Sequence, residues 1–351
     1  MSREISFTKA INEALFIAME LDKKVLCYGL GVDDPKHIFD TTIGLQEKFG
    51  KERVFDMPTS ENAMTGVAIG ASIVGYRPVM VHQRLDFFLL AMDQLVNAAA
   101  KWHYMFGGQS SVPIVIRLII GRGWGQGPTH SQSLQSWFAH IPGLKVVMPS
   151  SPKEAKGLLL SSIFDENPVL FLEHRWLHNQ QEEVPEGDFR IPLGTANLIR
   201  HGTDITIVGM SYMNTEALRC LEFLKIQGIS CELIDLRSVN PIDWKTIIKS
   251  VKKTKKLLVL DTGSETGSLA AEIIAKVSIE LFSEMVVPPA RICLPDAPVP
   301  ASFSLTEDFY PTSYDIAKKV CSMLDIFINE NDFKHSLFPH DVPGDWFKGP
   351  F

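Results

Sequence analysis

The sequence predicts an α/β protein of two domains, each a mostly parallel sheet with helices on both faces. First, 351 residues, 45% of them hydrophobic, allow two domains of roughly 150 residues each. Second, short runs rich in Val, Ile and Leu alternate with longer segments of helical spacing. Third, this alternation stops at a polar, turn-rich connector, residues 176–200. We therefore predict domains at residues 1–175 and 201–330, followed by a C-terminal arm at 331–351.

In the first domain, five apolar runs predict strands. Apolar runs without alternation are typical of strands that are covered on both faces, as in a parallel sheet. The predicted strands are Val25–Tyr28, Pro78–His82, Pro113–Ile119, Lys145–Met148 and Pro168–Leu172. The predicted helices lie near residues 5–20, 60–75, 89–104 and 152–164.

The same alternation returns after the connector and predicts a second sheet. The predicted strands are Ile205–Val208, Glu232–Leu236, Leu257–Leu260 and Arg291–Leu294. The predicted helices lie near residues 213–227, 242–252, 266–283 and 312–327. The arm beyond them places aromatic residues among Pro and Gly, so we expect it to dock on its own subunit or on a neighbouring one.

Composition and charge exclude several classes of protein. The chain has 34 Lys and Arg against 41 Asp and Glu, a net charge of −7, so binding to nucleic acid or to anionic membranes is not expected. No apolar run reaches the roughly 18 residues of a membrane span, and the first residues lack the apolar core of a signal peptide. Five scattered cysteines are expected to be reduced core thiols, which predicts a cytoplasmic protein.

The segment around Glu61 is the first candidate site. Residues 58–60, Pro-Thr-Ser, are expected to end an extended segment and cap a helix whose first turn contains Glu61. A glutamate there complements the helix dipole, which contributes about 0.3–1 kcal/mol, and position alone favours that structural role. The helix is rich in Gly, and each Gly costs about 1 kcal/mol relative to Ala. We therefore expect another helix to cross it closely.

Two further segments follow predicted strands, where open parallel sheets place their ligands. In one, a polar turn precedes Phe87 and Phe88, and such rings are more often core residues than cofactor contacts. In the other, residues 121–127, which contain four glycines, lead to His130. A glycine-rich loop that ends in a titratable group is typical of a mobile gate, although an isolated loop histidine is usually just solvated.

Several common site motifs are absent from the sequence. It contains no Cys-x-x-Cys, His-Glu-x-x-His or Gly-x-Ser-x-Gly, so zinc sites and nucleophile elbows lose their usual support. The glycine-rich loop does not have the spacing of a dinucleotide site, because Gln126 stands where the third glycine is required.

Together, the three segments resemble the β subunit of the thiamine-diphosphate-dependent E1 component of 2-oxo acid dehydrogenases, and more broadly the transketolase family. The resemblance covers about residues 1–330 and implies a pyrimidine-binding domain followed by a transketolase C-terminal-like domain. The motifs that carry it are Thr-Ser-Glu61 with its small-residue helix, Ala91-Met-Asp-Gln94 before Asn97-Ala-Ala-Ala-Lys101, Thr129-His-Ser-Gln132, Pro142-Gly-Leu-Lys-Val-Val-Met-Pro149 and Ile234-Asp-Leu-Arg237.

The resemblance implies roles for three residues. Glu61 matches the glutamate that hydrogen-bonds N1′ of the aminopyrimidine ring of thiamine diphosphate and so promotes loss of the thiazolium C2 proton. Phe87 matches the aromatic residue that packs on this ring, and His130 matches the histidine beside the bound 2-oxo acid. A carboxylate held at a ring nitrogen in a dry site can shift the proton equilibrium of the cofactor in this way.

Ions and partner chains are implied in the same manner. The family holds a potassium ion with oxygens at positions that match Ile114, Ser162, Asp165 and Asn167. The Gly-Asp-Gly motif with which the family binds Mg²⁺ and the diphosphate is absent from this sequence. The chain would therefore supply only the pyrimidine half of a site. It would need an α-type E1 partner, in an α₂β₂ heterotetramer with β–β self-association and with lipoyl-E2 as a further partner.

The sequence departs from the family pattern at three positions, of which Leu30 concerns a proton relay between paired sites and the two arginines concern the substrate. Leu30 replaces an acidic residue after the first strand, and two cations are added, Arg84 and Arg122. Each arginine would suit a carboxylate or phosphate of a substrate larger than pyruvate, or would be a surface charge at a subunit interface.

The resemblance implies decarboxylation of a 2-oxo acid of the pyruvate type and transfer of the acyl group to lipoyl-E2. One alternative is half of a split transketolase-like enzyme that transfers a ketol or acyl unit to a sugar or aldehyde acceptor. Another is a non-catalytic scaffold subunit, which the joint presence of Glu61, Phe87 and His130 disfavours.

Overall fold

The computed structural model describes residues 3–122, 125–335 and 339–343. These residues form two compact units. The first unit contains the described residues up to Ile120 together with residues 137–194 and 238–241, and the second contains the rest. Residues 121–136 thus belong to the second unit and residues 238–241 to the first. A division of the chain at the connector would assign each of these segments to the other unit. The predicted domain boundaries themselves remain predictions.

Strands and α-helices alternate along most of the chain. The strands are β1 (Glu4–Ser6), β2 (Val25–Gly29), β3 (Val54–Asp56), β4 (Arg77–His82), β5 (Val115–Ile120), β6 (Lys145–Val147), β7 (Val169–His174), β8 (Gln181–Glu183), β9 (Asn197–Arg200), β10 (Ile205–Gly209), β11 (Cys231–Asp235), β12 (Ser238–Asn240), β13 (Leu257–Ser264) and β14 (Ala290–Leu294). The α-helices are α1 (Phe7–Leu21), α2 (Leu45–Phe49), α3 (Glu61–Ile73), α4 (Leu85–Phe88), α5 (Ala100–Met105), α6 (Gln135–Ala139), α7 (Pro152–Ile163), α8 (Met213–Ile226), α9 (Trp244–Thr254), α10 (Leu269–Leu281), α11 (Phe303–Thr306) and α12 (Ser313–Met323).

The first unit is organised around a seven-stranded sheet in the order β12-β6-β7-β5-β4-β2-β3. All neighbouring strands are parallel except β12, which runs antiparallel to β6. From β2 the chain passes to β3 on one side and then to β4 on the other, so the strand order reverses between β2 and β4. Because β5 and β7 are buried along their whole length, the sequence prediction of a covered parallel sheet is confirmed.

A buried ion pair joins β5 to β7 inside this sheet. Arg117 donates two hydrogen bonds to the Glu173 carboxylate, at 2.6 and 3.0 Å, and neither side chain is exposed to solvent. Burial by itself would raise the pKa of Glu173, but the Arg117 charge and the hydrogen bonds from His178 and Arg117 together lower it. The paired geometry compensates two charges that would each be costly to bury alone.

The second unit contains a five-stranded sheet in the order β14-β13-β10-β11-β9. Its strands are parallel except for β9, which pairs antiparallel with β11. Helices α8 and α12 pack an apolar core against this sheet, with Ile207, Leu233 and Val320 at its centre. Thr312 and Asp315 cap α12 reciprocally, which satisfies two backbone N–H groups at its start.

The structure differs from the sequence predictions in two ways. The helix predicted near residues 89–104 is three pieces, a 3₁₀ turn (Leu89–Ala91), a π-helix (Gln94–Ala99) and α5. The strands β1, β3, β8, β9 and β12 were not predicted, because each is only three or four residues long. All five cysteines are free, as predicted. Over the part of the chain that the structure describes, no helix is long and apolar enough to cross a membrane.

Two buried histidines make the stability of the first unit depend on pH. Burial lowers the pKa of His82 and of His178 from 6.5 to about 4. Between these values the unfolded chain binds protons that the folded chain does not, so the free energy of unfolding falls as the pH falls through the window. Each histidine should contribute a slope of roughly 1.4 kcal/mol per pH unit. His82→Phe should remove about half of the slope that the two histidines produce together. Urea unfolding measured between about pH 6.5 and pH 5 tests this.

The control for His82→Phe is Leu118→Met. Leu118 is the strand neighbour in register with His82, and its replacement removes no titratable group while nearly conserving volume. This control should keep the wild-type slope. An unchanged slope in His82→Phe would contradict the assignment.

Candidate cofactor and active site

The carboxyl ends of β2, β3 and β4 lie at one edge of the first unit's sheet, where the strand order reverses. Open α/β sheets bind ligands at such a position. Strands β2 and β4 approach so closely there that a Cβ at Gly29 would collide with the backbone of Val81. At the end of β3, the Asp56 carboxylate accepts N–H groups of Gly31 at 3.1 Å and Val32 at 2.5 Å. The loop after β2 is therefore fastened to β3, and this edge is a fixed frame.

Glu61 begins α3 beside this edge and is only 5% exposed. Among the described residues, no hydrogen bond or ion pair reaches its carboxylate. The predicted cap by Ser60 is wrong in one respect, because the Ser60 side chain makes no cap hydrogen bond. Its ψ of 64° lies far from the extended backbone of a capping residue. A buried carboxylate without a partner at a helix N-terminus suits a ligand with a polar hydrogen.

The small residues of α3 have two different environments. A Cβ at Gly66 would lie 3.9 Å from the Gln94 side chain, because the π-helix packs across α3 at that point. No atom of the described chain lies within 4 Å of a Cβ at Gly70. Tyr28 of β2 donates a hydrogen bond to the Met64 carbonyl at 3.2 Å and fixes α3 on the sheet. The π-helix packs on α3 near Gly66, but neither glycine has another backbone close enough to exclude a Cβ, so the expected close backbone approach is not found at these positions.

Phe87 and Phe88 have separate roles. Phe88 is fully buried, and its ring packs against His82, with centroids 5.1 Å apart, and against Phe138. Phe87 is partly exposed in the one-turn helix α4. The sequence prediction that both rings belong to the core is therefore correct only for Phe88, and Phe87 keeps part of its surface available to a ligand.

Two arginines lie within electrostatic reach of each other at the carboxyl ends of β4 and β7. Burial lowers the pKa of Arg84 and of Arg175 to about 10. The charge of Arg84 also lowers the pKa of Arg175, which the charge of Asp40 raises. The charge of Asp86 raises the pKa of Arg84. Two guanidinium groups at one sheet edge favour an anion such as a carboxylate.

A left-handed backbone run supports Arg175. Residues 37–40 have φ of 44°, 48°, 55° and 67°, and none of them is glycine. A left-handed conformation costs about 1–2 kcal/mol per residue. The run places the Phe39 ring 4.2 Å from the Arg175 guanidinium carbon. The surrounding contacts must offset the backbone strain, which is a pattern common at functional sites.

The candidate potassium ligands lie around the turn after α7. The Ser162 carbonyl accepts a hydrogen bond from the Asp165 N–H at 3.3 Å. Asp165 Oδ1 accepts hydrogen bonds from the backbone N–H and from the side-chain amide of Asn167, each at 2.9 Å. The Ile114 carbonyl accepts a hydrogen bond from the N–H of Val169, the first residue of β7. Lys145 binds the other carboxylate oxygen of Asp165 at 2.5 Å. A cation there would thus rely on carbonyl oxygens, because the carboxylate is already matched by an ammonium group.

Arg122 and His130 lie in residues 121–136, which belong to the second unit. Arg122 is 7% exposed and donates a hydrogen bond to the His340 carbonyl at 2.6 Å. Because Arg84 is also buried, the alternative that either arginine is a surface charge is wrong. His130 is partly exposed, with Nδ1 3.0 Å from the Thr129 hydroxyl. Residues 123–124 of the glycine-rich loop lie outside the described residues.

The end of the His130 segment is anchored by Gln135. Its side-chain amide donates to Asp261 at 2.5 Å, and both residues are fully buried. Burial raises the pKa of Asp261, although hydrogen bonds from the Gly263 N–H and from Gln135 oppose the rise. The segment is thus fixed to the sheet of the second unit five residues after His130.

A pocket of about 200 Å³ lies beside this segment in the second unit. Its lining is mostly apolar and includes Pro128, Leu134, Leu294, Val299 and Phe309. The pocket reaches residues on both sides of His130 in the sequence, so a small ligand there would lie against the segment that carries the histidine.

Comparison with known protein families identifies the family of the chain. Residues 3–180 match the pyrimidine binding domain of transketolase, and residues 194–316 match the transketolase C-terminal domain. The chain belongs to the transketolase family. The resemblance inferred from the sequence motifs is therefore confirmed, and so is the predicted class of fold.

Relatives of this transketolase-family chain are named as β subunits of several oxidoreductases. The β subunit of acetoin:2,6-dichlorophenolindophenol oxidoreductase from Cupriavidus necator is 40% identical, over 90% of this chain and 96% of its own length. The mitochondrial 2-oxoisovalerate dehydrogenase β subunit of Dictyostelium discoideum is 41% identical, over 88% and 83%. The pyruvate dehydrogenase E1 β subunit of Rickettsia felis is 38% identical, over 91% and 98%.

A solved structure has the same fold as this family member. It is described as a split-gene transketolase, inactive β4 tetramer, and it aligns with a TM-score of 0.73 over 92% of this chain and 99% of its own. The sequences are 22% identical, so this likeness concerns the fold alone.

Three of the residues that shape the two sites were not found in the sequence. Arg175 and the left-handed run at Phe39 have no local signal, because the run contains no glycine. Gln135 resembles any polar residue at a helix start, and its partner Asp261 lies 126 residues away. A pairing of that separation is visible only in the folded chain.

Glu61→Gln separates a dipole role from a ligand role. The variant removes a buried charge that no described residue pairs, so the free energy of unfolding should stay unchanged or rise. A glutamate that only complements the helix dipole would instead lose about 0.3–1 kcal/mol on substitution. Urea unfolding of both chains measures the difference.

The matched control is Asp315→Asn in α12. Asp315 takes part in a capping box with both hydrogen bonds present, so its substitution should cost about 1 kcal/mol. If Glu61→Gln destabilises the chain as much as Asp315→Asn does, Glu61 is a structural cap.

Proposed function

We propose that this chain is the β subunit of a thiamine-diphosphate-dependent E1-type enzyme. It would decarboxylate a 2-oxo acid of the pyruvate type and pass the acyl group to lipoyl-E2. The observation that carries the proposal is Glu61, a residue that is 5% exposed and lies beside the reversal of strand order, and whose carboxylate has no partner among the described residues. A carboxylate left open to one side in this way is available to a ligand, for which a scaffold subunit would have no use.

The residues of the first unit fit the aminopyrimidine half of the cofactor. Glu61 would share a proton with N1′ of this ring, and the exposed part of Phe87 would offer an aromatic face to it. When bound, thiamine diphosphate supplies the carbon nucleophile and the electron sink for cleavage next to a carbonyl group. The task of this chain would be to set the proton equilibrium of the ring and to keep water away from it.

The diphosphate and Mg²⁺ would be held by a partner α chain. The sequence lacks Gly-Asp-Gly, and no group of three or more His, Cys, Asp or Glu among the described residues could hold a metal ion. Apolar side chains are exposed along α3 and the turn after α4, including Val67 at 55% and Leu90 at 69%. Surfaces of this kind mark protein interfaces, and we propose an α₂β₂ assembly with contacts between β chains.

Arg84 is the proposed contact for the substrate carboxylate, with Arg175 beside it. His130 is the proposed group for proton or acyl transfer in the later step, next to the pocket of the second unit. The acceptor in the leading proposal is the lipoyl disulfide: one sulfur takes the acyl group, the other becomes a thiol, and CO₂ is released. Free cysteine thiols fit a reducing intracellular compartment.

A second candidate function is cleavage of acetoin. It is favoured by two relatives at 40% and 39% identity whose names specify acetoin and a dichlorophenolindophenol acceptor. Acetoin cleavage would release acetaldehyde in place of CO₂, so the first product separates the two candidates. Acetoin has no carboxylate, and Arg84 would then have no substrate charge to bind.

Reconstitution with an α-type chain that contains Gly-Asp-Gly tests the proposal. We expect CO₂ from pyruvate or 2-oxoisovalerate with reduction of 2,6-dichlorophenolindophenol, and little thiamine diphosphate binding by this chain alone in titration calorimetry. Glu61→Gln in this complex should slow deuterium exchange at thiamine C2 by about 10²-fold or more.

Three outcomes would overturn parts of the proposal. Acetaldehyde from acetoin without CO₂ from any 2-oxo acid would establish the second candidate. Ketol transfer to aldoses, without activity on 2-oxo acids, would establish a split transketolase. Micromolar binding of thiamine diphosphate to the single chain would refute the half-site.

Potassium binding is a separate prediction of the proposal. An ion held by the carbonyl oxygens around Ser162 and Asp165 would stabilise the folded chain by mass action. Replacing about 100 mM NaCl by KCl should raise Tm by roughly 2–4 °C. Asp165→Ala should abolish this difference, because it removes the Oδ1 acceptor that holds the turn whose carbonyl oxygens would bind the ion, whereas Asp188→Ala, which removes an exposed carboxylate elsewhere, should keep it. Equal Tm in both salts would exclude a specific potassium site.

A further inference from the structure

The C-terminal arm docks on the second unit through residues 339–343. Its turn is closed by a hydrogen bond from the Val342 N–H to the Pro339 carbonyl at 3.0 Å. His340 Nε2 lies 2.9 Å from both the Thr306 hydroxyl and the Phe303 carbonyl, and its ring packs on Phe303 with centroids 4.2 Å apart. These contacts fix the arm on α11 and leave the His340 carbonyl as an acceptor.

That carbonyl accepts the hydrogen bond from Arg122. The guanidinium carbon of Arg122 also lies 4.4 Å from the Tyr310 ring centroid and 5.6 Å from the Tyr212 centroid. Tyr212 is itself held by a 2.6 Å hydrogen bond to Glu216. Aromatic faces and a carbonyl acceptor together compensate part of the cost of burying the charge.

Gly125 and Gly127 of the glycine-rich loop lie beside Ala301, two residues before α11. Cβ atoms at Gly125 and Gly127 would lie 3.3 Å from atoms of Ala301. Glycine therefore lets the loop approach residues 301–310, which also support the arm. The arm, α11 and the start of the His130 segment form one packed cluster within the second unit.

The contact joins two segments that lie 218 residues apart in the sequence. Arg122 is one of the two cations by which the chain departs from the family pattern. A buried cation that is held by so distant a segment points to a joint task.

We propose that residues 339–343 position the His130 segment through Arg122. Arg122 fastens the start of the segment to the arm, as Gln135 fastens its end to Asp261. The loop between the two anchors is then held on the second unit before any ligand binds. Arg122 is a positioning residue here and does not contact the substrate. The catalytic consequence rests on the proposed function, in which His130 acts in the later transfer step.

Hydrogen–deuterium exchange of residues 125–134 in the full chain tests the positioning without any substrate. Arg122→Ala, and a deletion of residues 335–351, should each raise the exchange rate of this segment by about tenfold or more. The two changes combined should raise it no further than either alone, because they break the same contact. Arg122→Lys should give an intermediate rate, since an ammonium group keeps the charge but loses the planar packing.

The matched control is a deletion of residues 344–351, which keeps the docked residues 339–343 and should leave the exchange rate unchanged. Unchanged exchange in Arg122→Ala, additive effects in the combined variant, or an effect of the control deletion would each overturn the proposal. Exchange in α9, which packs on β10 and takes no part in the contact, reports whether a variant still folds.

In the reconstituted complex the same variants should lower kcat by about tenfold or more with KM nearly unchanged, since the segment is misplaced while substrate binding is kept. If the wild-type complex turns over none of the proposed substrates, the proposed function fails. The exchange measurements would still decide whether the arm positions the segment.

Discussion

The Arg117–Glu173 ion pair joins β5 to β7 in the interior of the first unit. In this pair two buried charges of opposite sign compensate each other. Both groups are fully desolvated, and two hydrogen bonds from Arg117 join them. Breaking such a pair leaves an uncompensated charge, which typically costs about 3–5 kcal/mol. Glu61 lacks a partner of this kind among the described residues. The contrast separates a carboxylate that is paired within the sheet from one that has no partner among the described residues.

The parallel sheet brings separate segments of the sequence to one edge. Because its strands share a direction, the residues that follow them leave on the same side, and Arg84 and Arg175 come within electrostatic reach of each other. Close approach of β2 and β4 at Gly29 makes this edge rigid. The left-handed run at residues 37–40 adds Phe39 to the guanidinium of Arg175 at the expense of backbone strain. The first unit thus offers a carboxylate, an aromatic face and two cations.

The second unit carries the histidine and its supports. Residues 121–136 follow β5 in the chain but belong to this unit, where Gln135 and Arg122 fasten the two ends of the segment. Much of this could not be read from the sequence. The longer apolar strands of both sheets, Glu61, Phe87 and His130 as candidates, and the absence of Gly-Asp-Gly were all evident there. The destination of the His130 segment was not, because a glycine-rich loop has no periodicity that would assign it to either sheet.

The amino-acid sequence by itself determined the class of fold, the family and the candidate residues of the half-site. Apolar periodicity reports how each residue is buried within its own strand or helix, and family motifs are short, so both kinds of information are local. Only the tertiary structure decided that Phe88 is a core residue while Phe87 is partly exposed, that Glu61 has no partner within the described chain, and that Arg122 is buried against the arm. These facts depend on contacts between residues up to 218 positions apart. Local sequence patterns cannot show such contacts, because they form only when the chain folds.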